Sequence, residues 1–322
     1  MVKAHSPKKW HYALRKLQSA MEYLMTYGWA ILVIAIILAA LFSLGVFNTS
    51  NLSVRAQPGS CAVFRPGGAM SDTNIAFGGV CANYLPEFVF RSRGVGDYMI
   101  VPGSNLTSSP LNIQNNATIT AWIYVSGSPY HDIFDKENQY GLKLDYNNQP
   151  HSCYPSNYIG LCLEWDTIND WVGPGYAIPN ASFNQWIFVG ASIAYDSSTG
   201  NSIKRWFANG QEIGNSVVSG RLTYANSIVT IGAISPGYTG YGEAEWFNGS
   251  IANVQIYNAS LPQSLIKSMY LSGIGGDPIQ IQNLVGWWPL NGNADDESGN
   301  LNNAQNVNVI YGSSWINNYQ IT

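Results

Sequence analysis

The sequence is poor in charge, histidine and cysteine. Asp, Glu, Lys and Arg make up only 11% of its 322 residues, against about a quarter in an average soluble domain. The four histidines, at positions 5, 11, 131 and 151, show no zinc-ligand spacing. No two of the four cysteines are spaced as CxxC. Nucleophile-elbow, Walker and HExxH patterns are missing, which removes the commonest hydrolase, nucleotide and metalloprotease readings. What is abundant instead is Trp (11), Tyr (20) and Gly (32), with 46% hydrophobic residues overall. Such a profile suits an extracellular β-rich protein with uncharged loops, long enough for one to three domains.

The little charge there is lies unevenly. Residues 1–17 hold Lys3, Lys8, Lys9, Arg15 and Lys16 and no acid. The remainder has 10 basic and 19 acidic residues, a net of −9. An acidic remainder excludes nucleic acid as the expected partner, because phosphate binding needs basic patches. Tyr23 to Phe47 is 25 residues with no charge at all. As a helix it spans roughly 37 Å, enough to cross a hydrocarbon core of about 30 Å. The basic leader then predicts a single pass with residues 1–17 in the cytoplasm and the rest outside. An apolar run this long exceeds the roughly 7–15 residues of a secretory signal core.

Features beyond the run fit an outside location. Cys61, Cys81, Cys153 and Cys162 all lie there, and disulfides are the expectation for an exported chain. Of the three connectivities, Cys61–Cys81 with Cys153–Cys162 closes the shortest loops; four free buried thiols are the alternative. Seven N-x-Ser/Thr sequons, at Asn48, Asn51, Asn105, Asn116, Asn180, Asn248 and Asn258, fit glycosylation.

One carboxylate, Glu22, stands beside the apolar run. Burying it in lipid is unfavourable unless a cation meets it. The order of basic leader, Gln18-Ser19-Ala20-Met21-Glu22-Tyr23-Leu24 and uninterrupted apolar helix resembles the class III signal peptide of archaeal type IV pilin-like proteins. That resemblance implies cleavage between Leu17 and Gln18 by a prepilin peptidase. Glu22 then becomes the fifth residue of the mature chain, and its implied partner is the new α-amine of a neighbouring subunit. The implied partners are the membrane and other copies of itself or other pilins. Leu17 departs from the small residue usual before the cut.

Asn48 to Pro86 reads as a connector. "CAVF" and "NIAF" predict short strands joined by a Pro-Gly-Gly turn. From Glu87 onward, short alternating runs recur between turn signals: "EFVFRS", "DYMIVP", "ATITAWIYV", "YGLKLDY", "LCLEW", "QWIFVGASIAY", "IKRWFANGQEI", "SIVTIGAI" and "IANVQIYN". They predict an antiparallel sandwich or barrel. Asn209-Gly210 marks a tight hairpin. "LPQSLIKSMYLSG" is the one clear helix, capped by Ser260 and ended by Gly273.

The order of "GDYMIVP", "ITAWIYV", "FNQWIFVGASIAYD", "WFANGQEIG", "VTIGA" and "FNGSIANVQIYNASLPQSLI" resembles a LamG-like, concanavalin A-like jelly roll. The expected fold is therefore mainly β: a jelly-roll sandwich over 87–322, preceded by leader (1–17), apolar helix (18–48) and connector (49–86). "LVGWWPLNGNADDESGNLNNA" (284–304) resembles the usual opening of such a domain, displaced to its end. The remaining 39 residues cannot form a second sandwich, so circular permutation is expected.

The resemblance also frames the chemistry. Relatives hold Ca²⁺ in an Asp-x-Ser-Gly-Asn loop, here Asp296 to Asn300 with Asp295 beside it, and these oxygens suit a hard cation. The late-strand acidic ligand is replaced by Ala252, and an Asx-rich turn is the other reading. Glycosidases of this fold need paired carboxylates about 5–10 Å apart. Asp132, Asp135 and Glu137 are not spaced for adjacent positions on one strand face, and Glu243 and Glu245 fall near a loop, so no catalysis is expected. The aromatic insert 146–180 offers Trp165, Trp171 and Tyr176 as ligand-stacking candidates, with Tyr154 and Tyr158 near the Cys153–Cys162 pair. The expectation is a non-enzymatic, surface-exposed adhesin subunit whose head binds glycans or surface proteins. A membrane-anchored lectin that never polymerises is the alternative, and a surface glycosidase the third reading.

Overall fold

The computed structural model describes residues 27–39, 61–63, 73–75, 85–127, 131–147, 153–156, 158, 160–167, 175–234, 245–316 and 319. The chain divides into two compact units, Met1–Arg55 and Ala56–Thr322. In the first, residues 27–39 form helix α1, and all thirteen are exposed. Among the described residues no helix is long and apolar enough to cross a membrane; α1 covers part of the predicted run. Leu17, Gln18, Glu22, Asn48 and Asn51 lie outside the described residues.

The second unit is β-rich. In chain order its strands are β1 (Cys61–Val63), β2 (Thr73–Ile75), β3 (Val89–Arg93), β4 (Tyr98–Val101), β5 (Ala117–Val125), β6 (His131–Lys136), β7 (Tyr140–Asn147), β8 (Cys153–Tyr154), β9 (Gly160–Thr167), β10 (Gly175–Ala177), β11 (Trp186–Asp196), β12 (Asn201–Ala208), β13 (Gln211–Ser219), β14 (Val229–Ile231), β15 (Asn248–Tyr257), β16 (Leu284–Trp288), β17 (Gln305–Val307) and β18 (Ile310–Gly312). Helix α2 (Gln263–Ser272) lies between β15 and β16. The expected connector strands β1 and β2 pair antiparallel. Cys81 lies outside the described residues, and with it the Cys61–Cys81 pairing.

Two eight-stranded sheets form the sandwich. Sheet I has the order β13-β12-β11-β5-β15-β3-β18, with β16 also on β15; sheet II has the order β17-β4-β14-β6-β7-β9-β10-β8. Alternation along the strands sends Ile119, Ala121, Ile123, Val189, Ala191, Ile193 and Trp206 of sheet I against Phe134, Leu142, Leu144, Leu163 and Trp165 of sheet II. The opposite face of sheet I is also covered. Trp122, Phe188, Phe207 and Tyr257 pack under Ile266, Met269 and Tyr270 of α2 and under Trp315 and Tyr319. Trp122 lies 5.3 Å, centroid to centroid, from both Phe188 and Tyr319 and 5.7 Å from Tyr270. This second layer explains why "ATITAWIYV" is buried almost without interruption: β5 has no wet face.

The hairpin between β12 and β13 turns at Asn209 (φ 46°) and Gly210 (φ 75°), the double positive φ that Asn-Gly favours. Helix α2 departs from expectation at its start. Its N-cap is Pro262, with no side-chain cap, rather than Ser260; Pro fixes φ and starts the helix two residues later. Gly273 ends it, its N–H donating to Tyr270 O.

The C-terminal segment is part of this same sandwich. Strand β15 pairs along one side with β5. Its other side is split: Asn248–Ile251 pair with β3, and Val254–Tyr257 with β16. β18 then pairs with β3, and β17 with β4. At the split a bulge places Asn253 at φ 50°, a conformation Asn tolerates better than most residues. Its Oδ1 accepts Trp287 Nε1–H and Gln255 Nε2–H at 2.8 Å each, and its Nδ2 donates to Gly276 O at 2.9 Å. Asn253→Ala would orphan the buried Gln255 donor and the half-buried Trp287 donor and strain the backbone, so destabilisation of about 2–4 kcal/mol is expected. Urea unfolding measures it, and an unchanged midpoint would remove Asn253 from this role.

Lys136 is fully buried at the end of sheet II. Its ammonium donates to Ser104 O at 2.8 Å and Ser227 O at 2.7 Å. Burial lowers its pKa to about 8, partly opposed by Asp135. Between pH 8 and pH 10 the unfolded chain therefore keeps a proton that the folded chain releases, and stability rises with pH. The gap in melting temperature between wild type and Lys136→Met should move in favour of wild type over that window. A constant gap would show that Lys136 titrates normally.

Candidate functional site

The aromatic insert builds a graded array of tilted rings, from exposed to buried, at the β8–β10 edge of sheet II. Strand β8 pairs parallel with β10, which pairs antiparallel with β9. The Cys153–Cys162 disulfide ties β8 to β9, with Cα atoms 5.9 Å apart, as the short-loop pairing expected. The residue after Cys153 is Tyr154, and its ring is 66% exposed. Behind it lies Tyr176, 5.7 Å away, and behind that Trp206, at 4.8 Å. Trp206 is fully buried. Lys204 Nζ sits 5.3 Å from its ring centroid and donates to Trp165 O, joining the two sheets through the core.

Sheet I shapes itself to admit this stack. Gly214 of β13 faces the Tyr176 ring; a Cβ there would lie 2.0 Å from it. Only glycine allows so close an approach. Tyr176 Oη donates to the carbonyl of the neighbouring Asn215. Burial, with Tyr154 alongside, raises its pKa. The exposed Asn215 donates from Nδ2 to Glu212 Oε1 at 2.9 Å, and Glu212 lies 3.7 Å from Arg205 Nε. The result is an outward tyrosine backed by two tilted rings, the nearer of which bonds to the stretch of β13 that carries the Asn215 amide and the Glu212 carboxylate. Flat apolar faces beside hydrogen-bonding groups are what sugar rings need.

The expected stacking residues divide three ways. Tyr176 is the half-buried wall of this platform. Trp165 is 1% exposed, because strand alternation turns it inward, where it stacks with Tyr140 at 6.5 Å; the ligand-stacking role given to it is withdrawn. Trp171 lies outside the described residues. Tyr158 is half-buried and donates to Ile178 O at 3.0 Å. Tyr154 takes the leading place that Trp165 loses. The contribution of Gly214 and Asn215 had no local signal in the sequence, since a different sheet supplies them.

The outer face of sheet II corrects a second expectation. A bulge in β6 makes Asp132 oppose Lys143 and Asp135 oppose Gly141, two places apart on β7. Asp132 and Asp135 therefore share a face despite their three-residue spacing. Lys143 reaches Glu164 on β9 at 3.8 Å. Asp132 and Asp135 are only 3% and 7% exposed. Glu137 is half-buried, its carbonyl accepting the Ser227 hydroxyl. Glu245 O accepts Asp132 N–H at 3.2 Å, and Glu243 lies outside the described residues.

In the acidic loop the candidate calcium ligands take part in turn hydrogen bonds. Asp296 Oδ1 accepts the N–H groups of Trp287 and Ser298, and Oδ2 that of Asn302, at 2.8–2.9 Å. Asn300 turns its Nδ2 to Leu284 O and Ser298 Oγ. Asp295 Oδ2 accepts Asn293 Nδ2–H. These bonds make the loop an Asx-built turn that anchors β16. Among the described residues no three His, Cys, Asp or Glu side chains group to hold a metal. Ala252 is buried in the outer layer of sheet I, far in character from a ligand position.

Comparison with known proteins follows the fold. A laminin G family model, described as the concanavalin A-like lectin/glucanases superfamily, matches residues 93–267. A Bacteroides ovatus protein assigned as carbohydrate-binding is 17% identical, with TM-score 0.48 over 71% of this chain; the match spans 60% of that protein's length. The SAP-like pentraxin of Limulus polyphemus is 15% identical over 57% of this chain and 80% of its own, TM-score 0.38. The CBM40 of Ruminococcus gnavus IT-sialidase is 15% identical over 56% and 95%, TM-score 0.33. At such identities the likeness concerns the fold alone. A search of curated proteins finds no match. With its two packed, mainly antiparallel sheets and a family match over more than half its length, this chain belongs to the concanavalin A-like lectin/glucanases superfamily.

Proposed function

We propose that this chain is a single-pass surface subunit of the archaeal type IV pilin-like kind, whose sandwich binds glycans. The observation that carries the glycan reading is Tyr154, 66% exposed on a disulfide-tied strand and backed by Tyr176. Holding the ring in place before binding lowers the entropy lost on contact. Membership of a lectin and glucanase superfamily supports it. A binding role suits the carboxylates better than hydrolysis: Asp132 and Asp135 are buried, while a glycosidase needs its pair open to the sugar.

The membrane reading rests on the uncharged 25-residue run after a basic leader, and on the exposure of every described residue of α1. Thirteen exposed residues that include Trp29, Ile31, Ile34 and Ile37 call for lipid or for other helices. Glu22, meeting the α-amine of a neighbouring copy, would set subunit spacing. Permutation is the matching reading of the head. Relative to its family, the opening strand arrives from the C-terminus, which leaves the N-terminal end free for the connector.

Tyr154→Ala should weaken glycan binding about tenfold, the effect of losing roughly 1.4 kcal/mol of stacking. Glycan-array titration beside an unchanged melting temperature checks this; equal binding by both proteins would remove the platform. N-terminal sequencing of the surface-exposed chain should begin at Gln18. A start at Met1 would overturn the pilin-like reading and leave a membrane-anchored lectin.

A further inference from the structure

Seven sequons mark the sequence, but the fold treats them unequally. N-glycosylation transfers a sugar from a lipid-phosphate carrier to asparagine. The amide nitrogen attacks the anomeric carbon, the C–N bond forms as the C–O bond to phosphate breaks, the lipid phosphate leaves, and a base takes the amide proton. The transferase must hold the amide and the hydroxyl two residues later in one pocket. Both must therefore rise from the protein surface together.

Two sequons cannot do so once the sandwich has formed. At Asn116 the hydroxyl belongs to Thr118, fully buried in β5. Its Oγ1 donates to Ala259 O at 2.7 Å and accepts Leu261 N–H at 2.9 Å. Thr118 pairs with Ser192 on one side and Tyr257 on the other. Asn116 Oδ1 itself accepts Tyr195 N–H at 2.9 Å. At Asn248 the hydroxyl belongs to Ser250, only 7% exposed and paired with both Arg91 and Tyr124. The Asn248 side chain lies over Gly94 and Gly127, where added Cβ atoms would meet it at 2.9 and 3.1 Å. Asn248 opens β15, and Asn116 stands immediately before β5 with its side chain bonded to β11.

Three others sit in connections. Asn180 and Ser182 are both exposed between β10 and β11, with Asn180 in a turn at φ 57°. Asn258 is exposed between β15 and α2, with Ser260 half-buried; its Oδ1 accepts Asn283 Nδ2–H at 3.2 Å, a bond that leaves its own nitrogen unused. Asn105 precedes the exposed Leu106 and Thr107, and its Nδ2 meets only a 3.4 Å surface contact with Asn226 Oδ1.

We infer that the folded domain carries N-linked glycans on Asn105, Asn180 and Asn258, and that Asn116 and Asn248 stay bare. The inference needs the sandwich to meet a transferase and does not depend on what the sandwich binds. Glycopeptide mass spectrometry of the full chain, made in cells that N-glycosylate their surface proteins, tests it. Sugar on Asn105, Asn180 and Asn258 with none on Asn116 or Asn248 is the expected pattern. Sugar on either of the latter two, or on none of the former three, overturns it. As a second readout, Ser182→Ala, which removes the Asn180 sequon at an exposed position, and Asn258→Gln should each lower the glycan mass and leave melting unchanged. Asn116→Gln should lower melting and leave the glycan mass unchanged; a loss of sugar in that variant also overturns the inference.

Discussion

The central strands of sheet I, β11, β5 and β15, are dry on both faces, and that constraint governs how their polar groups are satisfied. A backbone group in such a sheet has no water to fall back on, so every strand must be matched by another along its length. β5 satisfies this between β11 and β15. β15 satisfies it only because two short strands from opposite ends of the sequence share its remaining side. The aromatic layer of Trp122, Phe188, Tyr270, Trp315 and Tyr319 keeps water off the outer face. It also ties down the C-terminal segment, since Trp315 Nε1 donates to Pro86 O and Tyr319 Oη accepts Ile274 N–H.

Buried polar side chains elsewhere in the domain follow the same rule of finding a partner without water. Lys136 and Lys204 donate to main-chain carbonyls, Asn253 joins three partners at a bulge, and Asp296 receives three backbone N–H groups. Each serves as a substitute for a missing strand or turn bond. An unsatisfied group at any of these places would be more destabilising than the bond itself is stabilising. Residues that look like chemistry in the sequence are here recruited to architecture. Asp296 is the clearest case, for its carboxylate organises the turn that delivers β16.

Much of this was legible in the sequence. Alternation marked the strands of both sheets, Asn209-Gly210 marked the hairpin, and Gly273 the end of α2. The displaced "LVGWW" segment correctly pointed to a strand filling the sandwich from the C-terminus. What failed was whatever depended on one residue of register. A bulge after Asp132 adds a residue that no local pattern announces, and it turns two carboxylates to the same face. Trp165 read as an accessible ring because inward and outward positions of a short strand look alike when its partner sheet is unknown. The platform around Tyr154 was half visible, through the Cys153–Cys162 loop. Its other half, Gly214 and Asn215, comes from a strand of the other sheet and becomes a neighbour only in three dimensions.

The split side of β15 has a consequence in time. Phe88 N–H donates to Asn291 Oδ1 across 203 residues, and the Trp315–Pro86 bond spans 229. Contacts so distant in sequence close late, after the entropy of a very long loop has been overcome. During synthesis the first strands of the sandwich emerge long before the strands that complete them. Until residues near 284–316 arrive, the flank of β15 and the edge of β3 are unpaired, and unpaired edges are templates for aggregation. The domain is thus sealed by its last-made segment.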